Sequence, residues 1–274
     1  MNLLIIVAAL LVGQFMQWPE RWRDFTWYLQ HLDWLGARVD LRGAWGLLLA
    51  LALPVLSVLL LQALLARGPG LVLGTAFAWL VLLCCLGPGH LLATINEYLQ
   101  ALHAEDEEQT AVLRAQLEDG RHEDQDPIAV GIVSRAHDEY FAVLFWFAIL
   151  GPVGAVLYRF TRLIAQLDSA HENLRPAAEH LLGVLGWPST RLAAFGFALM
   201  GNFDKALFKL TGGLAWQTDL LAANRGMLAE VTCAAVDFHP HDTPTDVARR
   251  ARDLIVRTLT LWLVVFAVLT LLGW

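Results

Sequence analysis

An uncharged apolar run occupies residues 44–65 and reads AWGLLLALALPVLSVLLLQALL. A helix of this length rises about 30 Å, which is the thickness of the hydrocarbon layer of a bilayer. A second apolar run at 71–87 follows the short connection at 67–70. The two runs predict a transmembrane hairpin. Pro54 fits inside the first span because neighbouring helices can satisfy the carbonyl that a proline leaves unbonded.

Three further apolar runs predict additional spans at about 3–18, 140–158 and 258–274. The first of them has the length of a signal-peptide core, but it lacks a basic leader and a cleavage pattern, which favours an uncleaved span or a helix tucked into the bundle. The run at 192–203 is too short to cross and suits a re-entrant or core helix. We therefore expect an all-α fold, with 1–274 forming a single polytopic membrane domain that includes amphipathic or re-entrant helices.

The composition agrees with a membrane protein and excludes one class of partner. Charged residues make up 16% of the chain, against about a quarter in soluble domains. The formal net charge is −7 and no basic face stands out, so nucleic acid is not an expected partner. The three cysteines form neither a disulfide framework nor a zinc-binding spacing.

Two polar loops are predicted between the spans, at 97–139 and 159–257. The first loop is acidic, for example at 105–108 (EDEE), and we interpret it as a solvated helical pair; a surface for a protein partner is the alternative. The second loop carries more arginine near the membrane than the opposite side does, which places it in the cytoplasm. The arginines that decide this are Arg159, Arg162, Arg249, Arg250, Arg252 and Arg257.

The segment 134–162 reads SRAHDEYFAVLFWFAILGPVGAVLYRFTR and carries charged residues at both ends of its apolar run. Gly151 and Pro152 interrupt the run and predict a broken or kinked helix. A broken helix within a membrane exposes backbone groups that protein, water or a ligand must satisfy, which would make this a binding site. A simple proline kink with interfacial anchors accounts for the same residues equally well.

Two strings in this segment, 138–146 (DEYFAVLFW) and 151–159 (GPVGAVLYR), resemble the signature of the CobD/CbiB family of membrane proteins. A further element at 187–192 (WPSTRL) is similar to a Pro-x-x-Arg-Leu-like turn of that family. Together with 195–203 (FGFALMGNF), it is most similar to the AmpE branch. The layout agrees along the whole chain, whereas these motifs cover about 140–203.

The resemblance implies different functions for the two branches. CobD/CbiB proteins attach an aminopropanol-type arm to cobyric acid by amide formation, which implies ATP and magnesium as cofactors. The AmpE branch implies a multi-pass regulator of the bacterial inner membrane, linked to β-lactamase induction and ampicillin resistance, without an assigned reaction. The chain departs from the enzyme pattern at 162–165, which reads RLIA where the enzymes have Asn-Thr-Leu-Asp, and at 134–137, which reads SRAH where a glutamate-asparagine group is expected.

The residues that match the family motifs define the expected ligand-binding site. They are Asp138, Tyr158, Arg159, Arg191 and Asn202. Guanidinium groups and a carboxylate that face one cavity would suit a small anionic ligand, because the guanidinium fork binds carboxylate and phosphate. Ionisable groups at membrane depth are costly, which favours a functional role. The alternative is that Arg159 reaches the lipid headgroups as an anchor.

We therefore expect a regulatory protein that closes around a ligand and relays a cell-wall-related signal to β-lactamase expression. The lipid bilayer, a small anionic ligand and a protein bound through the acidic loop are the expected partners. No catalytic residue is assigned, and a metal site at His239, His241 and Asp242 is less favoured than a proline-bracketed turn. An amide-forming ligase that uses ATP and magnesium is the main alternative, and a transporter accessory is a third.

Overall fold

The protein is described by a computed structural model that covers most of the chain. The described residues are 26–65, 71–86, 91–118, 126–167, 169–212, 219–237 and 242–272. Within them every regular element is a helix, which confirms the all-α class. The predicted span at 3–18, the connection at 67–70, the acidic stretch 119–125 and the two histidines His239 and His241 lie outside the described residues.

The described residues form helices that follow one another with short connections. In chain order they are α1 (Thr26–Gly36), α2 (Gly43–Leu65), α3 (Leu71–Cys85), α4 (Leu91–His103), α5 (Glu107–Leu117), α6 (Pro127–Ala136), α7 (Ala142–Leu150), α8 (Pro152–Ala165), α9 (Arg175–Met200), α10 (Phe203–Gly212), α11 (Leu220–Val236) and α12 (Pro244–Leu271). A π-helical turn, His137–Phe141, joins α6 to α7, and a 3₁₀ turn, Ser169–Leu174, precedes α9.

The chain divides into two compact units. The first comprises Met1–Gly87 and Val143–Leu185, and the second comprises Pro88–Ala142 and Gly186–Trp274. In the first unit α2 packs against α3 and α8. Its core includes Tyr28, which is fully buried and donates its hydroxyl hydrogen to the Ala50 carbonyl at 3.2 Å.

The apolar run predicted as one span at 140–158 is divided in the structure. It begins in the π-helical turn, α7 ends at Leu150, and α8 begins at Pro152. Gly151 separates the two helices with a φ of +66°, a conformation that L-residues with a side chain rarely adopt. Proline then suits the first position of α8, because an N–H there would have no partner within the helix. The predicted break therefore occurs at a glycine, and the predicted boundary at residue 158 falls inside α8.

In the second unit α6 packs against α11 and α12, and α12 also contacts α4. Three aromatic rings meet in its core, since Phe141 makes edge-to-face contacts with both Phe197 and Trp262 at 5.3 Å between ring centroids. A Cβ at Gly196 would lie only 2.7 Å from Cγ2 of Thr258. The absence of a side chain at Gly196 therefore allows α9 and α12 to approach each other.

The turn predicted at 187–192 is wrong, because α9 runs through Pro188 without interruption. The run at 192–203, predicted as a re-entrant or core helix, is the partly buried end of α9, which reaches Met200. A proline inside a helix removes one backbone hydrogen bond and kinks more often than it ends the helix when packing holds both sides. Here Ser189 and Ala193, which follow the proline, are fully buried. The apolar run at 258–274 likewise continues α12, which begins at Pro244.

Among the described helices, α2 is the one that is both long enough and apolar enough to cross a membrane. It has 23 residues, and only 22% of its most apolar stretch is buried within the protein. The apolar part of α3, Leu73–Cys85, is shorter than a span. The exposed side chains of α2 are large and apolar, for example Trp45 and Leu64, with 79% and 68% exposure.

Candidate functional site

Asp138 lies in the π-helical turn that follows α6. Helix α6 starts at a strong N-cap, where the Asp126 carboxylate accepts from the backbone N–H groups of Ile128 and Ala129 at 3.0 and 3.1 Å. After Ala136 the chain widens into the π-helical turn, His137–Phe141. Such turns are rare and are frequent at functional sites. This one begins with the polar sequence His-Asp-Glu.

His137 connects Asp138 to two hydroxyl groups of α9. Its Nδ1 atom lies 3.1 Å from Oδ1 of Asp138. Its Nε2 atom lies 3.2 Å from Oγ of Ser189 and 3.2 Å from Oγ1 of Thr190. We call these four residues the His137 network. The imidazole is 4% exposed, so its hydrogen bonds replace contacts that it would otherwise make with water.

The His137 network has the serine–histidine–aspartate order of a nucleophilic relay, but it lacks access for a substrate. Ser189 is fully buried and Thr190 is 2% exposed. Ser189 also lies 3.2 Å from the Gly186 carbonyl, to which its hydroxyl donates. A serine that no substrate reaches cannot attack one. The arrangement therefore suits positioning of Asp138 rather than covalent catalysis.

Arg191 follows Thr190 directly and makes contacts of a different kind. Its Nη1 atom donates to the Trp187 carbonyl and to Oδ1 of Asn224, both at 3.1 Å. Its guanidinium carbon lies 4.1 Å from the centre of the Trp187 ring, which is a cation–π contact. Partial burial lowers the pKa of Arg191, but the group stays cationic at neutral pH. We call Arg191, Trp187 and Asn224 the Arg191 cluster.

Asn202 belongs to a separate set of contacts at the end of α11. Its amide nitrogen donates to Oδ2 of Asp237 at 3.3 Å, and Lys205 donates to Oδ1 of the same carboxylate at 2.5 Å. Asp237 caps α11 in the left-handed conformation, with a φ of 54°. Asn202 lies beyond the end of α9. Since an α-helix rises about 1.5 Å per residue, Asn202 is at least ~12 Å from Arg191 along the helix axis.

Of the predicted site residues, Asp138 lies in the second unit and is joined through His137 to Ser189 and Thr190, which directly precede Arg191 on α9. Asn202 lies in the same unit but in the Asp237 contacts. Tyr158 and Arg159 lie on α8 in the first unit. There Tyr158 is 1% exposed and Arg159 is half-buried.

Sequence reasoning did not identify His137, Ser189, Thr190 and Asn224 as site residues. The first three stand beside Asp138 or inside the WPSTRL string, so adjacency to the motif residues was a usable signal. Asn224 has no such signal, because it reaches Arg191 across 33 residues. Asn224 lies on α11 and is 4% exposed, and the burial of a single amide cannot be inferred from the sequence.

No metal site is formed by the part of the chain that the structure describes. Groups of three or more histidine, cysteine, aspartate or glutamate side chains that could hold an ion are absent there. Asp242, from the weaker metal candidate, instead pairs with Arg250. Its two predicted companions, His239 and His241, lie outside the described residues.

The chain matches the family described as "Regulatory signalling modulator protein AmpE" over residues 1–274. It belongs to the AmpE family. It is 24% identical to Protein AmpE of Shigella flexneri, over 99% of this chain and 97% of that protein. The CobD/CbiB resemblance is narrower. Cobalamin biosynthesis protein CobD of Stutzerimonas stutzeri is 29% identical over 39% of each chain, and that of Chromobacterium violaceum is 26% identical over 48% of each chain.

No solved structure matches the chain. The whole-length AmpE match and the partial CobD matches agree with the two branches of the resemblance and favour the first. The chain is thus a member of a family of regulatory signalling modulators.

Proposed function

We propose that the protein is a multi-pass regulator of the bacterial inner membrane that binds a small anionic ligand at Asp138 and the Arg191 cluster. Ligand binding relays a cell-wall-related signal that changes β-lactamase induction. The observation that carries this proposal is the match to a regulatory signalling family over the whole chain. The ligand site rests on the geometry of Arg191.

The Arg191 cluster supports an anionic ligand because its cation is oriented before any ligand arrives. Trp187 stacks on the guanidinium and Asn224 fixes one of its nitrogens. A planar, pre-oriented guanidinium loses little side-chain entropy when it binds a carboxylate or phosphate. A ligand that prefers one arrangement of the site shifts the population toward that arrangement, which is the basis of a signal.

The membrane part of the proposal rests on exposed apolar surface. Leu60 and Leu64 of α2 are 65% and 68% exposed, and Val264 and Leu272 near the end of α12 are 55% and 73% exposed. Large apolar patches of this kind mark membrane or protein contact sites. Hydrocarbon covers these residues if the predicted spans cross a bilayer. The acidic loop, which includes α5, remains our candidate surface for a protein partner.

Thermal unfolding of the full-length protein in detergent tests the ligand site, with inorganic phosphate, pyrophosphate and succinate as probes. A ligand at about a hundred times its dissociation constant adds about 2.7 kcal/mol, or a rise in Tm of roughly 5–10 °C. We expect one probe to raise the Tm of the natural protein and not that of Arg191→Gln. Arg175→Gln is the matched control, because Arg175 pairs with Glu179 elsewhere in the chain. Equal shifts in all three proteins contradict the site.

A reporter of β-lactamase expression tests the regulatory part in cells. Arg191→Gln is expected to change induction by a β-lactam relative to the natural chain at equal protein level, whereas Arg175→Gln leaves it unchanged. Unaltered induction in the Arg191 variant, with anion binding lost, would separate the ligand site from the signal.

The second candidate function is an amide-forming ligase, favoured by the partial similarity to two CobD proteins. It requires ATP and magnesium. A rise in Tm with both together, lost in Asp138→Ala, would support this function over the regulator. No rise would remove the nucleotide-dependent reaction under those conditions.

A further inference from the structure

We propose that His137 is a positioning residue that couples the Asp138 carboxylate to the Thr190 hydroxyl, and so to the segment of α9 that carries Arg191. The inference rests on the proposed function, in which Asp138 and Arg191 belong to one ligand site. It adds a route between them that is built from the His137 network.

In the neutral ring, the contacts of His137 favour one tautomer. An ionised carboxylate can only accept hydrogen bonds, so Nδ1, which lies 3.1 Å from Asp138, carries the proton. The Nε2 atom of the neutral ring then holds a lone pair and must accept. This is the less common tautomer, because a neutral imidazole in water favours the proton on Nε2.

The hydroxyls complete the assignment. Ser189 has one hydroxyl hydrogen and uses it on the Gly186 carbonyl at 3.2 Å. With that bond in place, the hydrogen available to Nε2 of His137 is that of Thr190, at 3.2 Å, although the Ser189 oxygen lies equally near. Every hydrogen in the chain from Asp138 to Thr190 has one acceptor, and all of these groups except the carboxylate are buried. Moving the proton from Nδ1 would turn Nε2 from an acceptor into a donor.

The state of Asp138 consequently sets the direction of the Thr190 hydroxyl. If the carboxylate is removed, the ring regains its usual tautomer, with the proton on Nε2. Nε2 then donates to one of the two oxygens at 3.2 Å, that of Ser189 or that of Thr190, and the Thr190 hydroxyl no longer has Nε2 as its acceptor. Thr190 immediately precedes Arg191 on α9, so the reorientation of its hydroxyl takes place next to the Arg191 cluster. The contact between Arg191 and Asn224 connects this cluster to α11.

The test that needs no ligand is ¹⁵N NMR of the full-length protein in detergent, labelled at histidine, at a pH where the ring is neutral. Loss of one signal in His137→Asn assigns the ring. We expect the proton on Nδ1 in the natural protein and in Asp138→Asn, whose amide oxygen can still accept, and on Nε2 in Asp138→Ala. Thr232→Val is the matched control, since this buried threonine donates to the Leu228 carbonyl among the described residues and its loss should leave the ring unchanged.

A proton on Nε2 in the natural protein, or an unchanged tautomer in a folded Asp138→Ala variant, overturns the proposal. A purely structural histidine would lower stability on mutation but would not show this dependence on Asp138. Asp138→Asn guards against misfolding of the alanine variant, because it keeps the size of the side chain and preserves the Nδ1 proton when its amide oxygen faces the ring.

Anion binding gives a second, separable readout. His137→Asn can still donate toward Asp138 and His137→Gln can still reach the hydroxyls, so each cuts the route on one side. Both variants are expected to bind the active probe (phosphate, pyrophosphate or succinate) about tenfold more weakly. This loss is the equivalent of one hydrogen bond to a charged group. If no probe binds the natural protein but the NMR result holds, the ligand proposal fails and the positioning stands. If a probe binds and the tautomer of His137 does not depend on Asp138, the positioning proposal fails and the ligand proposal stands.

Discussion

The guanidinium of Arg191 and the amide of Asn224 form a 3.1 Å hydrogen bond that joins α9 to α11. Asn224 is 4% exposed, so this contact is made away from water. A hydrogen bond to a charged group contributes about 1.5–3 kcal/mol, more than one between neutral groups. Asn224 therefore both stabilises the second unit and orients the cation of the proposed site.

Two substitutions at Asn224 separate these roles. Asn224→Ala removes the acceptor and is expected to lower the free energy of unfolding by about 1–3 kcal/mol. Asn224→Asp keeps the shape and pairs a carboxylate with Arg191, so stability should be retained better while anion binding falls further than in the alanine variant. Thermal unfolding with and without the active probe measures both. Equal binding in the two variants contradicts the role of the Arg191 charge.

The close approach of α9 and α12 predicts a steric rescue. A Cβ at Gly196 would meet Cγ2 of Thr258 at 2.7 Å and Nε1 of Trp262 at 3.3 Å. Gly196→Ala should destabilise the fold by about 1–3 kcal/mol. Adding Thr258→Ser, which removes the clashing methyl, should recover part of the loss in a double-mutant cycle. Additive effects would show that the two helices relax in another way.

Thr258 itself predicts a stabilising substitution. Its side chain is fully buried, and its hydroxyl has no hydrogen-bond partner among the described residues. A buried polar group without a partner costs about 1–3 kcal/mol. Thr258→Val keeps the shape and removes the hydroxyl, so the Tm should rise. A lower Tm would indicate that the hydroxyl binds something in the folded protein.

Burial raises the pKa of Cys233 to about 11. The thiolate is the reactive form, so a pKa about two units above the ordinary value predicts alkylation roughly a hundredfold slower than a free thiol near neutral pH. Because the pKa is raised, the rate should keep increasing about tenfold per pH unit until the pH approaches that value. A variant with Cys84 and Cys85 replaced by alanine isolates this thiol. A rate that levels off near the ordinary pKa would contradict burial.

The left-handed backbone of Asp237 predicts that glycine at this position gives a more stable protein than alanine does. Its φ of 54° is left-handed, which costs a residue with a Cβ roughly 1–2 kcal/mol. Both substitutions remove the contacts with Asn202 and Lys205, but only alanine keeps the backbone penalty. Asp237→Gly should therefore unfold at a higher temperature than Asp237→Ala, by the equivalent of about 1 kcal/mol. A higher unfolding temperature for Asp237→Ala than for Asp237→Gly would mean that α11 continues past Val236.

Helix content was predictable from sequence because apolar periodicity and glycine-proline breaks are local signals. The break at Gly151 and Pro152 was visible in this way. The continuity of α9 through Pro188 was not predictable, because a proline in this context predicts a chain reversal. The residues that hold the helix together after it, such as Ser189 and Ala193, are recognised only by their burial in the structure.

The candidate site was predictable only where motif residues could be matched. Asp138 and Arg191 were identified by resemblance, and the structure joins Asp138 through His137 to Ser189 and Thr190, the two residues before Arg191. That link spans 52 residues of sequence, and no spacing rule predicts a contact between single polar residues on distant helices. Asn202 was grouped with them because it lies in the AmpE-like string at 195–203, whereas the structure places it in contact with Asp237.

The exposed leucines of α2 have a consequence for the order of events during synthesis. Residues 43–65 leave the ribosome before any residue of the His137 network exists. Leu60 and Leu64 are 65% and 68% exposed in the finished protein, so no later segment among the described residues buries them. In the proposed membrane protein, hydrocarbon covers these leucines, and that cover has to be in place from the moment this helix emerges.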